Sequence, residues 1–372
     1  TQVSADMRTV GENLRQLARG CDRLVIWTDC DREGEYIGWE IAQECSKGNP
    51  RLVVQRARYS VVRRNELMAA LHQAGPLDLR QVSAVQVRIE LDLRTGASLT
   101  RLQSLRIKPE ITTRGNAAGS NSGPLSYGSC QFPTLGFVVE QYLRAVAFVP
   151  QPFWYLEALT ASGVTLQWAR GRLFDRVVCL ACYALTWQQA SHARLVRLHT
   201  RPTQRRKPLP LRTVEFQKHA SRLLRLSPKA LMEGAERLYR AGFISYPRTE
   251  TDQFDPKLDL RSLVERQRAD GRWGAYAAGL LDRPGAFQSP RLGPHNDKAH
   301  PPIHPTKALL PGDETSDVDR RIYEYIARRF LACCSEDARG EETQVEATVG
   351  QENEGEGFRA KGIRVLQRNY LE

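Results

Sequence analysis

No apolar stretch in this sequence approaches the about eighteen residues that a membrane-spanning helix requires, which excludes such a helix. The chain opens Thr1-Gln2-Val3-Ser4-Ala5-Asp6, without a methionine and without the basic-then-apolar pattern of a signal peptide, as expected of a fragment. Acidic residues are the minority, 42 against 54 lysines and arginines, for a net charge of +12. That balance favours a polyanionic partner. A second C-x-x-C pair is missing. Cys179-Leu180-Ala181-Cys182 stands alone in an apolar run, Cys333 and Cys334 are adjacent, and Cys21, Cys30, Cys45 and Cys130 are isolated. Structural zinc usually takes four ligands, so reduced, buried thiols of an intracellular protein are expected instead. At 372 residues and 41% hydrophobic, the chain is long enough for several domains.

What is present centres on Ala241-Gly242-Phe243-Ile244-Ser245-Tyr246-Pro247-Arg248-Thr249-Glu250-Thr251-Asp252. Leu226 to Tyr239 predicts an amphipathic helix, and Ala241-Gly242 its C-terminal stop. Phe243 and Ile244 read as core plugs, which leaves Ser245 to Asp252 as a polar run around one tyrosine. Pro247 fixes its own φ and lacks a backbone donor, so a rigid loop is expected. Tyr246 is a nucleophile candidate. A phenol of pKa near 10 is only about 0.1% ionised at pH 7, so it needs a cation or base beside it. Arg248 is always charged and able to hold a phosphate through two parallel hydrogen bonds. An ordinary turn with a surface Tyr-Pro is the alternative.

Far upstream, the β-formers Leu24-Val25-Ile26-Trp27 lead into Asp29-Cys30-Asp31-Arg32-Glu33-Gly34-Glu35, four carboxylates within seven residues, and Tyr36 to Cys45 reads as helix. On an extended loop Asp29, Asp31 and Glu33 point the same way, concentrating negative charge at the carboxyl end of a strand. Oxygen-only ligands favour Mg²⁺. A solvated acidic turn is the alternative.

Together these stretches resemble the type IA DNA topoisomerases, in particular their eukaryotic type III alpha subtype. Asp29 to Glu35 carries the Toprim signature and Ile244 to Thr251 the active-site tyrosine motif. Leu125-Ser126-Tyr127-Gly128-Ser129-Cys130-Gln131-Phe132-Pro133-Thr134 and the residues to Glu140 are similar to the subtype's segment between its second and third motifs. Ala299-His300-Pro301-Pro302-Ile303-His304-Pro305-Thr306 is similar to the family's histidine segment. The resemblance implies a multidomain toroid of α/β, mainly α and β-rich segments, with a partial Toprim domain. It implies Tyr246, Arg248, His300 and Glu33 as catalytic residues, Mg²⁺ on Asp29, Asp31 and Glu33, and Glu35 behind them. Arg32, Arg88, Asp92, Ser126, Gln131, Thr134 and His304 would contact DNA. The implied partners are single-stranded DNA, a RecQ-family helicase and an OB-fold cofactor of the Rmi type, the chain being a monomer within that complex, away from membranes, in the nucleus or the mitochondrion.

The sequence departs from the family in several places, one of them the insert Lys108–Gly123, longer than the family's connection. The first Toprim strand, with its glutamate and lysine, has no counterpart, and Ser129 stands where bacterial relatives carry arginine. Two rivals stay open: a truncated, catalytically inactive single-stranded DNA-binding fragment, and another Toprim enzyme, a primase or nuclease, in which the Tyr246 motif is idle.

Residues 1–60 read as the C-terminal part of a Toprim domain, with helix Met7–Ala18 and strands Leu24–Trp27 and Leu52–Tyr59 in a parallel α/β arrangement. Residues 61–145 are expected to form part of the helical single-strand groove domain, dominated by a helix over Gln81–Leu105. Arg88 and Asp92 share a face there, either paired with each other or lining the groove. The insert Lys108–Gly123 reads as a flexible surface loop; in Ser126–Thr134 the hydroxyls, Gln131 and the small Gly128 suit close approach to a sugar-phosphate chain, with a buried helix start after Pro133 as the alternative, compatible with it. Residues 146–212 would be the first part of a β-rich arch, with strands Phe153–Leu159, Val164–Ala169 and Leu195–Thr200 and a Pro/Arg-rich link over Arg201–Pro210. Residues 213–335 would be the tyrosine domain. Residues 336–372 would return to the arch as strands Thr343–Val349 and Phe358–Val365, around a turn at Gln351–Gly357.

Overall fold

The computed structural model describes residues 5–62, 64–110, 123–189, 192–350 and 355–372. Contacts divide the chain into two units, residues 1–148 with 298–300, and residues 149–297 with 301–372.

In the first unit α1 (Ala5–Ala18) precedes β1 (Arg23–Ile26), α2 (Arg32–Gly48) and β2 (Val53–Arg56). The strands are parallel, Arg23 opposite Val53 and Ile26 opposite Arg56. Parallel pairing needs a crossover connection, and α2 is that crossover. Next come α3 (Arg64–His72) and α4 (Leu79–Arg106). The Asp78 carboxylate accepts from the Arg80 amide at 3.0 Å, and this cap starts α4 two residues ahead of the expected Gln81. α5 (Gln131–Val146) corrects the alternative reading, a buried helix start after Pro133. It begins at Gln131 because a first-turn amide has no intrahelical acceptor to lose, so Pro133 fits inside. It is also exposed along its length, Phe137, Tyr142 and Val146 at 65–73%. Most of the Lys108–Gly123 insert, residues 111–122, lies outside the described residues.

In the second unit β3 (Glu157–Leu159), β4 (Thr165–Trp168), β5 (Ala193–Arg205), β6 (Ala338–Val349) and β7 (Glu356–Gln367) form one antiparallel sheet, ordered β3-β4-β7-β6-β5. The turn expected at Gln351–Gly357 falls partly outside the described residues, at 351–354. Two expectations need correction. The strand over Phe153–Leu159 shrinks to its last three residues, because Trp154 instead exchanges hydrogen bonds with Leu173. The link over Arg201–Pro210 is strand as far as Arg205, with Pro202 opposite Glu341. β5 is an edge strand, where proline's missing donor is tolerated.

α6 (Arg176–Gln189) lays Cys179 against Leu166, Trp168, Ala347 and Phe358 of the sheet. All eight cysteines are free, Cys45, Cys179, Cys333 and Cys334 buried but Cys21 and Cys130 exposed. Burial pushes the Cys179 thiol up and the Cys333 thiol to about 12.

Between β5 and β6 run α7 (Thr213–Leu224), α8 (Pro228–Arg240), α9 (Leu260–Arg266), α10 (Gly274–Asp282) and α11 (Asp317–Cys333). Leu231, Leu238, Ile322, Ile326 and Phe330 are fully buried in this helical core. α8 opens as its sequence predicts, with Pro228 at its first position and the Ser227 hydroxyl accepting from the Ala230 amide at 3.2 Å. Arg237 of α8 holds Asp319 of α11 through bonds of 3.0 and 2.7 Å.

Candidate active site

The acidic motif is a strand-to-helix turn. Asp29 and Asp31 lie between β1 and α2, and Asp31 caps α2, accepting from the Gly34 amide at 2.7 Å. The Thr28 hydroxyl donates to the Gly34 carbonyl at 2.7 Å. A side chain at Gly34 would put its Cβ 1.9 Å from the Asp29 carbonyl oxygen, so this tight turn accepts only glycine. The expected extended loop is thereby corrected: Arg32 and Glu33 already belong to the first turn of α2, where acidic charge suits the positive end of the helix.

Glu35 is not at the surface with the other acids. It is buried, paired with the fully buried Arg56 at 3.1 Å and with Arg58 at 3.2 Å, and accepts from the Asp78 amide at 3.0 Å. Arg56 also donates to the carbonyls of Ala57 at 2.7 Å and Asp29 at 2.6 Å. It therefore fixes the backbone of the acidic turn directly. Sequence reasoning missed Arg56, whose only signal is a charge ending the strand Val53-Val54-Gln55-Arg56. Cys30, bonded to the Tyr59 backbone at 2.9 Å, has its thiol pushed up by burial.

The carboxyl oxygens of Asp29 and Asp31 are chemically suited to Mg²⁺. Glu33 instead pairs with Arg88 of α4 at 2.8 Å. Among the described residues no three His, Cys, Asp or Glu side chains converge as a metal site, so the predicted three-carboxylate cluster is not assembled here.

Arg88 thus pairs with Glu33 rather than Asp92. Asp92 accepts from the Ser129 hydroxyl at 2.6 Å. Residues 125–129 run back along α4: the Tyr127 amide donates to Thr100 at 2.9 Å and the Leu125 amide to Ser104 at 2.9 Å. Glu33, Arg88, Asp92 and Ser129 consequently form a polar line leading from the acidic turn along α4. Ser126, Gln131 and Thr134 lie exposed on and beyond this strap, with the Thr134 hydroxyl bonded to the Cys130 carbonyl at 2.7 Å.

The tyrosine loop is built in the second unit. α8 ends as its sequence requires: Gly242 takes φ +72°, the Gly242 amide donates to the Tyr239 carbonyl and the Phe243 amide to the Leu238 carbonyl. This left-handed stop drives Phe243 and Ile244 into the core. On one flank of the loop, the Thr213 hydroxyl donates to the Pro247 carbonyl at 2.8 Å and accepts from the Thr249 amide at 2.8 Å. On the other, the Ser245 hydroxyl donates to the Pro302 carbonyl at 3.1 Å and accepts from the His304 amide at 3.0 Å. Asp297 receives the Thr249 hydroxyl and the Glu250 amide, both at 3.1 Å, and Asp252 binds the His295 ring at 2.7 Å. Tyr246 is accordingly fixed and buried at 5% exposure, its ring 5.2 Å from that of Tyr239 in an edge-on arrangement. A surface Tyr-Pro turn is excluded. Arg248 points outward, 58% exposed, with its Nε donating to Glu236 at 3.0 Å.

His300 is buried and clusters with the first unit. The expected DNA contact of His304 is corrected, because its ring lies in the core between Phe254 and Phe330. Its Nδ1 donates to the Pro302 carbonyl at 2.7 Å, and burial lowers its pKa to about 4. The predicted residues therefore fall into two groups: Asp29 to Glu33, Arg88, Asp92, Ser126 to Thr134 and His300 in the first unit, Tyr246, Arg248 and His304 in the second.

Residues 76–372 match the family model for DNA topoisomerase, and residues 2–62 that for the Toprim domain. DNA topoisomerase 3 of Saccharomyces cerevisiae is 46% identical over 403 residues, covering 100% of this chain and 61% of that protein. DNA topoisomerase 3-alpha of Homo sapiens is 45% identical over 371 residues, covering 98% of this chain and 35% of that protein. The chain therefore spans less than two thirds of either relative. Full-length topoisomerase I from Thermotoga maritima shares its fold, with a TM-score of 0.75 at 21% identity over 99% of this chain and 58% of that one.

Proposed function

Since this chain belongs to the type IA DNA topoisomerases, we propose that it cleaves single-stranded DNA through Tyr246, lets another strand pass, and reseals the break. The observation that carries this reading is the clamped loop, which fixes a buried tyrosine two residues from an outward-facing arginine.

The Tyr246 oxygen attacks the scissile phosphorus and loses its proton; the P–O3′ bond breaks, and the departing 3′ oxygen takes up a proton. The products are a 5′-phosphotyrosyl bond and a free 3′-hydroxyl. One phosphodiester replaces another, so the reverse step reseals the strand without a nucleotide. Arg248 stabilises charge on the phosphate in the transition state. His300 orients that phosphate and assists proton transfer. Arg32, Arg88, Ser126, Gln131 and Thr134 position the single strand, Asp92 holding Ser129 beside them. Toprim domains in general bind Mg²⁺. Asp29 and Asp31 would hold it here, with Glu33 joining them once a DNA phosphate engages Arg88, and the ion would fix the 3′ end for resealing.

In the complete protein, relaxation of negative supercoils and decatenation of recombination intermediates follow from this chemistry. Residues 146–212 and 336–372 would act as one arch bracketing the tyrosine domain, 213–335. A RecQ-family helicase and an Rmi-type OB-fold cofactor as partners, and the nucleus as compartment, are further parts of the proposal, supported by the likeness to the eukaryotic topoisomerase 3 relatives.

The test is a denaturing gel of this chain with 3′-labelled and 5′-labelled single-stranded oligonucleotides and Mg²⁺. The 3′ label is expected to shift with the protein and the 5′ label to be released, with complete loss of the adduct in Tyr246→Phe. An adduct that persists in the variant would remove Tyr246 as the nucleophile. Salt-sensitive binding with no adduct from the wild-type chain would favour the inactive DNA-binding fragment.

A further inference from the structure

Apart from the tyrosine loop, the second unit contains a cavity of about 870 Å³ where the end of β5, the C-terminus of α7 and one face of α11 meet. Arg205 and Arg206 line it from the end of β5, and Arg321, Arg328 and Arg329 from α11, against the single carboxylate of Glu324. Tyr325 and Tyr370 contribute two aromatic rings.

Three of these guanidinium groups are held in place by the fold. Arg321 donates to the Leu224 carbonyl at 2.7 Å, Arg329 to the Leu209 carbonyl at 3.1 Å and Arg328 to Glu324 at 2.9 Å. Glu324 is shared with Arg272 at 3.2 Å, so it does not neutralise the cavity. Among the described residues the side chains of Arg205 and Arg206 make no hydrogen bond or ion pair, and both are exposed. Like charges gathered this way repel one another unless an anion joins them.

The geometry points to a second binding site for single-stranded nucleic acid, separate from the cleavage centre. Guanidinium groups hold phosphates through forked hydrogen bonds, and aromatic rings stack on bases irrespective of sequence; this combination is what single-strand sites use. The volume lies in the range of small-ligand pockets and suits a base with its flanking phosphates. None of Ser245 to Asp252 lines the cavity, so a phosphate held here is not the one under attack. The inference does not rest on the chemistry proposed for Tyr246.

The test measures binding of a fluorescent oligothymidylate by anisotropy over a salt series, comparing the wild-type chain with the double variant Arg205→Glu/Arg206→Glu. Affinity is expected to fall about tenfold, and the log-log salt slope to become shallower by about 0.7 for each phosphate no longer neutralised. Arg205→Lys/Arg206→Lys should keep the wild-type slope, which separates loss of charge from loss of fold. Photo-crosslinking with an iodouracil oligonucleotide should label peptides bearing Tyr325 or Tyr370. An unchanged slope and affinity in the glutamate variant, or crosslinks confined to other peptides, would overturn the second site. A loss seen only with duplex probes would overturn its single-strand assignment. The denaturing-gel adduct is expected to survive in the glutamate variant, so the second site and the cleavage reading stand or fall separately.

Discussion

The acidic turn and the tyrosine loop each present a chemically demanding side chain in a fixed place, but they are held by opposite means. The turn between β1 and α2 is fixed mainly from within, by Thr28 to Gly34, Asp31 to Gly34 and a glycine that nothing else can replace. Its long-range anchoring centres on one residue, Arg56, which pairs with the buried Glu35 and donates to the Asp29 carbonyl. The tyrosine loop has few internal ties and many distant ones, to Thr213 on one flank and to Pro302, His304 and Asp297 on the other. Short-range geometry can be carried by a compact motif. A clamp between distant segments exists only once the core has formed.

The largest effect should come from removing Arg56, the turn's main long-range anchor. Arg56→Met leaves the buried Glu35 carboxylate with only the half-exposed Arg58 guanidinium and takes the Arg56 donor from the Asp29 carbonyl, which costs about 3–5 kcal/mol. Denaturant unfolding of the first unit should show that loss. Hydrogen exchange should rise across residues 24–35 and leave residues 243–252 unchanged; equal loosening of both would break the contrast.

Next comes the pH dependence of the clamp. His304 titrates at about 4 when folded, against about 6.5 unfolded. A depressed folded pKa contributes stability that is present above the unfolded value and lost as pH falls through the folded one. Calorimetry should therefore show the second unit losing about 3 kcal/mol between pH 6.5 and 4, with the slope flattened in His304→Gln.

Ser245→Ala removes one donor and one acceptor from the clamp, depriving the His304 amide of its Ser245 acceptor and leaving the Pro302 carbonyl to the His304 ring. The expected cost is about 1–3 kcal/mol, read by exchange at residues 300–306, with the acidic turn unaffected. The smallest effect on stability belongs to Arg88→Ala. Its pair with Glu33 is exposed and worth less than about 1 kcal/mol. The same change should make the salt slope of single-strand binding shallower by about 0.7, because one neutralised phosphate goes with it. An unchanged slope would remove Arg88 from the DNA-binding set.

Much of this was legible along the chain. The stop of α8 at Gly242, the helix after the acidic motif, the hairpin at Gly163 and the parallel pairing of β1 with β2 all follow from local rules, because capping, turn φ and apolar period act within a few residues. The extended reading of Glu33 failed for a local reason too, since Asp31 is a strong helix cap and starts α2 earlier than the apolar pattern does. The continuation of β5 past Pro202 required knowing that β5 lies at a sheet edge.

What the sequence by itself determined is the chemical vocabulary: which residue is the nucleophile candidate, which carboxylates sit at a strand end, and the family in which those motifs occur together. Tertiary structure alone decided their partners. Glu35 was set apart from its neighbouring acids by an arginine 21 residues away, His304 was turned from a DNA contact into a buried brace, and Arg88 was given to Glu33 instead of Asp92. The physical reason is that hydrogen bonds and ion pairs are chosen by distance and burial in space. A linear pattern encodes those only within one helix turn or one strand pleat.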